Sequence, residues 1–250
     1  MRLSERVYLV GSGSFGFDLT DTYDCHVYLI DGGDELALID VGAGMGAEAI
    51  VENVRREGLD PGRIRHLILT HAHGDHAGGA ARMRRLLGDP AVYLSRVTAR
   101  FLREGDEDGI SLGPAKAAGI YPPDYRFEPC EVDIELAEGD RVRVGSLELE
   151  VFDTPGHCDG HVSLLLTQDG ARTLFAGDVV FFGGKILLQA IYDCRLDEEI
   201  RSLRTLRQLD VTALCPGHLN FTMSGGQRHI ERANVALDRL LITEQIVSAW

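Results

Sequence analysis

The chain has 250 residues, of which 44% are hydrophobic and 26% charged, a composition typical of a globular protein with a sizeable core. Its net charge of −14 repels phosphate backbones, so we expect no nucleic-acid partner. There is no run of roughly 18 apolar residues, and the N-terminal segment lacks the apolar stretch of a signal peptide. The five cysteines are scattered and odd in number, as in a protein with reduced thiols. We therefore expect a cytoplasmic protein without a membrane partner.

Strands alternate with helices along the first half of the chain. Apolar, β-branched runs bounded by turn residues predict four strands, at Val7–Val10, Val27–Ile30, Leu36–Ile39 and Ile64–Leu69. Helical periodicity closed by a glycine predicts two helices, at about Ala47–Arg56 and at Ala80–Leu87.

The second half repeats this rhythm. The predicted strands are Arg141–Val144, Leu147–Phe152, Val162–Leu166, Thr173–Ala176 and Val211–Cys215. The predicted helices are Asp197–Leu209 and Gln227–Leu241. Two halves of strands and helices suggest stacked sheets with helices outside. Arg103–Tyr125 breaks the pattern, because it is rich in glycine, proline and charge, and we expect an irregular insertion there.

The strongest chemical signal is the run His71-Ala72-His73-Gly74-Asp75-His76. An extended segment points residues i and i+2 to the same side, so His71 and His73 can hold one ion together. Asp75 and His76 lie on the turn that follows and can reach a second ion. Imidazole and carboxylate suit zinc and similar metals. A chance occurrence in a histidine-rich surface loop is roughly a one-in-a-thousand event, so the motif predicts a metal site.

Together with Ala77-Gly78-Gly79, this run closely resembles the signature of the metallo-β-lactamase superfamily. Three later segments resemble the family's remaining motifs in the right order, and they end in His157, Asp178 and His218. Asp40 matches the family's early aspartate, which supports the metal loop from beneath. The resemblance implies an α/β protein with the αβ/βα four-layer sandwich of that fold. It implies a single domain of two pseudo-repeated halves, about 1–130 and 131–250, with the site at the sheet edges between them.

The resemblance also implies a complete ligand set for two metal ions. The first ion takes three histidines, the second takes Asp75 and two histidines, and Asp178 bridges them; the set is His71, His73, Asp75, His76, His157, Asp178 and His218. We expect two Zn²⁺ per chain, with Mn²⁺ or Fe²⁺ as alternatives. Paired metals can lower the pKa of a shared water towards ~7, so that hydroxide attacks an acyl carbonyl. Asp75 would also orient this nucleophile, and no acid for the leaving group is identifiable.

Two further features call for an interpretation. His161 follows His157 by four residues, as in related glyoxalase-type hydrolases, and we expect it to support a ligand. His26, His66 and His229 have no motif around them and are expected to play structural roles. The glycine pattern Gly11–Gly16 fits a dinucleotide-binding loop, but no helical pattern follows it, so a flap near the metals is the better interpretation.

The superfamily does not fix the substrate. A glyoxalase-type thioesterase shares Ala77-Gly78-Gly79, but the glutathione-binding C-terminal domain is not seen. A lactonase of this fold carries a tyrosine where this chain has Phe181. A mono-iron persulfide dioxygenase would carry an arginine shortly after the bridging aspartate, and this chain has none there. The negative charge argues against a phosphodiesterase or nuclease. The missing export signal argues against a secreted β-lactamase. The complete ligand set opposes a non-catalytic binding module. We expect a hydrolase of a small thioester or lactone.

We predict that three segments wall the substrate pocket: Ser12–Tyr23, Phe181–Lys185 and part of Arg103–Tyr125. Loops that leave the same strand ends as the ligands must surround the site, and apolar walls are usual around small molecules. The side chains proposed for the wall are Phe15, Phe17, Tyr23, Phe181, Phe182 and Lys185. The expected partner is a small-molecule substrate, and a homodimer is one assembly that the chain could form.

Overall fold

A computed structural model of the protein describes residues 1–247. Its contacts divide the chain into two compact units. Unit 1 comprises Met1–Leu136 and Arg143–Leu147, and unit 2 comprises Ala137–Val142 and the chain from Glu148 onward. Each unit contributes most of one β-sheet.

The sheet of unit 1 has six strands whose spatial order follows the chain. They are β1 (Val7–Gly11), β2 (Val27–Asp31), β3 (Leu36–Ile39), β4 (Ile64–Ile68), β5 (Ala91–Ser95) and β6 (Ile134–Leu136). Strand β2 is antiparallel to both β1 and β3, and β3 to β6 are parallel. Five helices belong to this unit: α1 (Ala47–Arg56), α2 (Gly74–Ala77), α3 (Ala80–Leu87), α4 (Ala99–Glu104) and α5 (Leu112–Ala117). A short 3₁₀ helix spans Pro61–Arg63.

Parallel pairing explains where the first ligands lie. Strands β3 and β4 run in the same direction, so their carboxyl ends meet at one edge of the sheet. Asp40 follows β3 directly, and His71 comes three residues after the end of β4. The backbone of α1 is held against the core by Ile50, Val51 and Val54, which share one helical face and are buried.

The sheet built largely from unit 2 has five strands in the order β11-β10-β9-β8-β7. They are β7 (Arg141–Val144), β8 (Leu147–Asp153), β9 (Val162–Gln168), β10 (Ala171–Gly177) and β11 (Ala213–Pro216). Two helices complete the unit, α6 (Leu196–Leu206) and α7 (Gln227–Asp238). Strand β9 is antiparallel to both β8 and β10, and β11 is parallel to β10. The carboxyl ends of β8, β10 and β11 therefore lie at one edge, where His157, Asp178 and His218 follow.

Most predicted elements are present within a few residues of their predicted bounds. The structure adds β5 and β6, and α7 ends three residues earlier than expected. The segment Arg103–Tyr125 includes the six-residue helix α5 between turns, and it buries Leu112, Tyr121 and Tyr125 in the core of unit 1. Over residues 1–247, no helix has the length and apolar composition needed to cross a membrane.

Candidate metal centre

Unit 1 brings its four predicted ligands together on the loop after β4. The ring centroids of His71 and His73 lie 4.7 Å apart, and those of His71 and His76 lie 4.1 Å apart. His73 is the N-cap of α2, so the chain turns from an extended to a helical path between the second and third ligands. This turn places Asp75 and His76 in the first turn of the helix.

Asp40 is hydrogen-bonded to the start of this loop and to one of its histidines. Its carboxylate accepts hydrogen bonds from Nδ1 of His76 at 2.8 Å and from the backbone N–H of Thr70 at 2.8 Å. Because the Nδ1–H of His76 is held by a carboxylate, its Nε2 carries the lone pair and faces Oδ2 of Asp75 at 3.5 Å. A carboxylate behind a histidine is the usual arrangement for fixing the tautomer of a metal ligand.

Tyr121 contacts the other oxygen of Asp75. The tyrosine hydroxyl donates to Oδ1 of Asp75 at 2.7 Å and accepts from the backbone N–H of Asp75 at 2.9 Å. Burial raises the pKa of Tyr121 well above its usual range, so the hydroxyl keeps its proton and can donate. Sequence reasoning missed this residue, because nothing around Tyr121 resembles a motif.

In unit 2, two predicted histidine ligands face the carboxylate of the third predicted ligand, Asp178. Oδ2 of Asp178 lies 3.7 Å from Nε2 of His157 and 3.5 Å from Nε2 of His218. Nδ1 of His157 donates to the carbonyl of Leu187 at 3.1 Å, which again leaves the lone pair on Nε2. All three ligand side chains are buried.

His161 holds the ligand loops of unit 2 and is not oriented as a ligand. Its Nε2 accepts a hydrogen bond from the backbone N–H of Asp178 at 2.9 Å. Its Nδ1 must then carry the proton, and it lies 2.9 Å from the hydroxyl of Thr154. Both ring nitrogens are thus engaged with the loops that carry Asp178 and His157.

The glycine-rich loop after β1 presents aromatic side chains to solvent. Phe15 is 53% exposed and Phe17 is 39% exposed, and the ring of Phe17 stacks on His26 at 5.4 Å between centroids. Tyr23 is half-buried and stacks on Tyr121 at 6.2 Å. Turns and β2 follow β1 with no helix in between, as expected for a flap and not for a dinucleotide-binding loop.

The segment after Asp178 departs from the predicted pocket wall. Phe181 is fully buried and stacks on His218 at 6.4 Å between ring centroids, so it supports a ligand and offers no surface to a substrate. Phe182 packs on His229 at 4.2 Å. Lys185 forms a salt bridge with Glu244 at 2.8 Å. Its ammonium group, which was expected to meet a substrate carboxylate, is therefore paired within the chain. Tertiary packing decided all three positions: Phe181 packs on His218, Phe182 on α7, and Lys185 pairs with the chain beyond α7.

The chain belongs to the metallo-beta-lactamase superfamily, because the family model of that description matches residues 20–218. It has the fold of that superfamily, a mixed α/β fold with two sheets. The superfamily is one of metal-dependent hydrolases, and the residues that matched its motifs at the level of sequence are those that cluster within each unit.

Two relatives illustrate the range of similarity. An uncharacterized protein of Aquifex aeolicus is 31% identical over 208 residues, which cover 82% of this chain and 88% of the relative. A hydroxyacylglutathione hydrolase of Rhodopseudomonas palustris is 31% identical over 135 residues, which cover 54% of this chain. The match spans 40% of the length of that hydrolase.

Solved metallo-beta-lactamases share the fold. A HARLDQ-motif mutant of the enzyme from Cronobacter sakazakii is 23% identical with a TM-score of 0.74, and the match covers 96% of this chain and 95% of that one. FEZ-1 from Legionella gormanii is 20% identical with a TM-score of 0.73, covering 96% and 94%. At these identities the likeness establishes the fold alone.

Proposed function

We propose that this protein is a dinuclear, zinc-dependent hydrolase of small acyl thioesters. The observation that carries the proposal is the orientation of the histidines. His76 in unit 1 and His157 in unit 2 share one arrangement. In each, the Nδ1–H donates a hydrogen bond to an oxygen, and Nε2 faces a carboxylate oxygen of a proposed ligand.

The donor set fits divalent zinc. Five imidazoles and two carboxylates are the ligand types that zinc takes, and they suffice for two sites that share one residue. Family membership supports the assignment of His71, His73 and His157 to one ion, of Asp75, His76 and His218 to the other, and of Asp178 to both. Manganese and ferrous iron accept the same ligand types and are the alternatives.

The ions, when bound, would act as Lewis acids and lower the pKa of water towards ~7. The chain itself holds the carboxylates in place. Asp75 is hydrogen-bonded through Oδ1 and the backbone N–H, while its Oδ2 faces His76, so the side chain is positioned to orient a nucleophile. Asp178 is fixed through its backbone by His161.

Similarity to named relatives favours a thioester over a lactone. Several relatives are named hydroxyacylglutathione hydrolases, after a substrate in which an acyl group is joined to sulfur. The exposed rings of Phe15 and Phe17 lie on the glycine-rich loop after β1. Where this loop ends, the backbone N–H of Cys25 donates a hydrogen bond to the carbonyl of Asp75. We propose that these rings contact the apolar part of a small substrate.

We also propose that the protein acts in the cytoplasm. Four of its cysteines, Cys25, Cys130, Cys194 and Cys215, are free thiols, as is usual for proteins in a reducing compartment.

Metal analysis combined with a hydrolysis screen tests the function. Elemental analysis of purified protein should find close to two ions per chain, and acyl-glutathione and other thioesters should be hydrolysed faster than lactones, phosphodiesters and β-lactams. Removal of the ions with a chelator should abolish turnover, and zinc should restore it. A reproducible single iron, with no gain on adding zinc or manganese, would contradict the proposal and favour a mono-iron dioxygenase.

A further inference from the structure

Three tyrosines form a stack beside the ligand loop of unit 1. Tyr23 and Tyr121 have ring centroids 6.2 Å apart, and Tyr121 and Tyr125 have theirs 5.0 Å apart with an angle of 13° between the planes. Tyr121 and Tyr125 come from the segment between α5 and β6, so that the stack joins this distant part of the chain to the loop that bears the ligands.

The hydroxyls of Tyr121 and Tyr125 bond to different kinds of group. The hydroxyl of Tyr125 donates to the carbonyls of Ala43 and Gly74, at 2.9 and 3.1 Å, and therefore holds backbone. The hydroxyl of Tyr121 instead reaches a side chain, the carboxylate of Asp75, and the N–H of the same residue. Of these two tyrosines, Tyr121 is therefore the one that can influence the direction in which the Asp75 carboxylate points.

The glycines of the motif leave room for this contact. A Cβ on Gly74 would lie 3.2 to 3.3 Å from the rings of Tyr121 and Tyr125, and one on Gly78 would lie 2.0 Å from the hydroxyl of Tyr125. The rings can approach the loop this closely because neither position carries a side chain. The contact between the tyrosines and the ligand loop therefore depends on glycine at both positions.

We propose that Tyr121 is a positioning residue of the metal centre. By holding Oδ1 and the N–H of Asp75, it keeps Oδ2 directed at the side of the loop where Nε2 of His76 lies. This inference rests on the proposed function, since Asp75 and His76 are the unit 1 ligands assigned to the second ion. It gives the segment between α5 and β6 a role in metal binding in addition to its role in the core.

The test is Tyr121→Phe, which keeps the ring and the stack and removes only the hydroxyl. Binding of zinc to the metal-free protein, measured by competition with a chromophoric chelator, should become about 10- to 100-fold weaker for one ion and stay unchanged for the other. This measurement does not depend on turnover. In the zinc-loaded protein, kcat should fall while KM changes little.

Tyr125→Phe is the matched control. It removes a neighbouring hydroxyl that bonds only backbone carbonyls, so it should lower thermal stability but leave both zinc affinities within about twofold. If Tyr121→Phe and Tyr125→Phe weaken zinc binding equally, Tyr121 supports the fold and does not position Asp75.

A double-mutant cycle with Asp75→Asn separates a direct effect from a general loss of structure. If Tyr121 acts through the Asp75 carboxylate, Tyr121→Phe should change zinc affinity far less in the Asp75→Asn background than in the wild type. Additive losses would overturn the inference. Wild-type protein that binds fewer than two ions would instead contradict the proposed function, whereas two ions bound with equal affinity by wild type and Tyr121→Phe would contradict only the role of Tyr121.

Discussion

The two units present the proposed metal ligands in opposite ways. Unit 1 carries four ligands within the six residues His71–His76, and it supports them from far along the chain, since Asp40 lies 36 residues before His76 and Tyr121 lies 46 residues after Asp75. Unit 2 takes one ligand from each of three loops after different strands. Its support is nearer in sequence, because His161 lies 17 residues before Asp178.

The difference also appears in how the ligand loops are packed. The loop before His157 is held by two hydrogen bonds. Ser202 of α6 donates to the carbonyl of Pro155 at 2.6 Å, and the N–H of Arg195, just before α6, donates to the carbonyl of Gly156 at 2.8 Å. At Gly74 the loop of unit 1 faces the rings of Tyr121 and Tyr125, whereas Gly156 in the loop of unit 2 faces the backbone of Glu199. A glycine that faces backbone tolerates an added side chain less well than one that faces side chains, which can move.

The largest expected effect is that of Asp178→Ala on catalysis. Asp178 is the point on which His157 and His218 converge, so its removal should lower hydrolysis by at least about 100-fold. The circular dichroism spectrum should remain native-like. Asp197→Ala is the control, because Asp197 is exposed and pairs only at the surface with Arg201. Near-normal turnover of Asp178→Ala would mean that Asp178 is only a turn residue.

Alanine at a glycine of each ligand loop tests the packing contrast directly. Gly156 has φ +144°, and a Cβ there would lie 2.4 Å from Cα of Glu199, so backbone must move. Gly156→Ala should lower the free energy of unfolding by about 3 kcal/mol. Gly74→Ala should cost about 1 kcal/mol or less, because its Cβ would meet tyrosine rings at 3.2 Å or more. Chemical denaturation of the metal-free proteins measures both, and equal losses would refute the contrast.

A further effect should appear only over part of the pH range, and it concerns a buried carboxylate that holds the glycine-rich loop of unit 1. Asp24 accepts from the hydroxyl of Thr20 at 2.7 Å and from the N–H of Ala43 at 2.8 Å, and burial raises its pKa from 3.8 to about 6. Between these values the folded state binds more protons than the unfolded state, so stability should fall as pH rises from about 4 to about 6. Above this range, burial of the charged Asp24 carboxylate should lower the free energy of unfolding by about 3 kcal/mol.

Asp24→Asn removes this titration. Subtracting the free energy of unfolding of the variant from that of the wild type should therefore give a difference that declines over the same pH range. A difference that stays constant with pH would show that Asp24 does not titrate in this window. In unit 2, burial raises the pKa of Glu199 well above its usual value of 4.5, so this group also makes stability fall as pH rises above about 4.5, and Glu199→Gln should remove that separate contribution.

The sequence alone determined the local geometry of both units. The spacing of His71, His73, Asp75 and His76 predicted a ligand loop because an extended segment followed by a turn places those side chains together whatever surrounds them. The bounds of α1 and α3 could be predicted for a similar reason, since periodic apolar residues and a closing glycine act over a few residues.

Tertiary structure decided which distant side chains meet the ligands. The hydroxyl of Tyr121 bonds Asp75, 46 positions earlier, only because the chain between them folds back, and no local pattern indicates that contact. The same holds for Phe181, which is buried against His218, and for Lys185, which pairs with Glu244 near the end of the described chain. Local backbone preferences depend on neighbouring residues, whereas the partner of a polar or aromatic side chain depends on the packing of the whole unit.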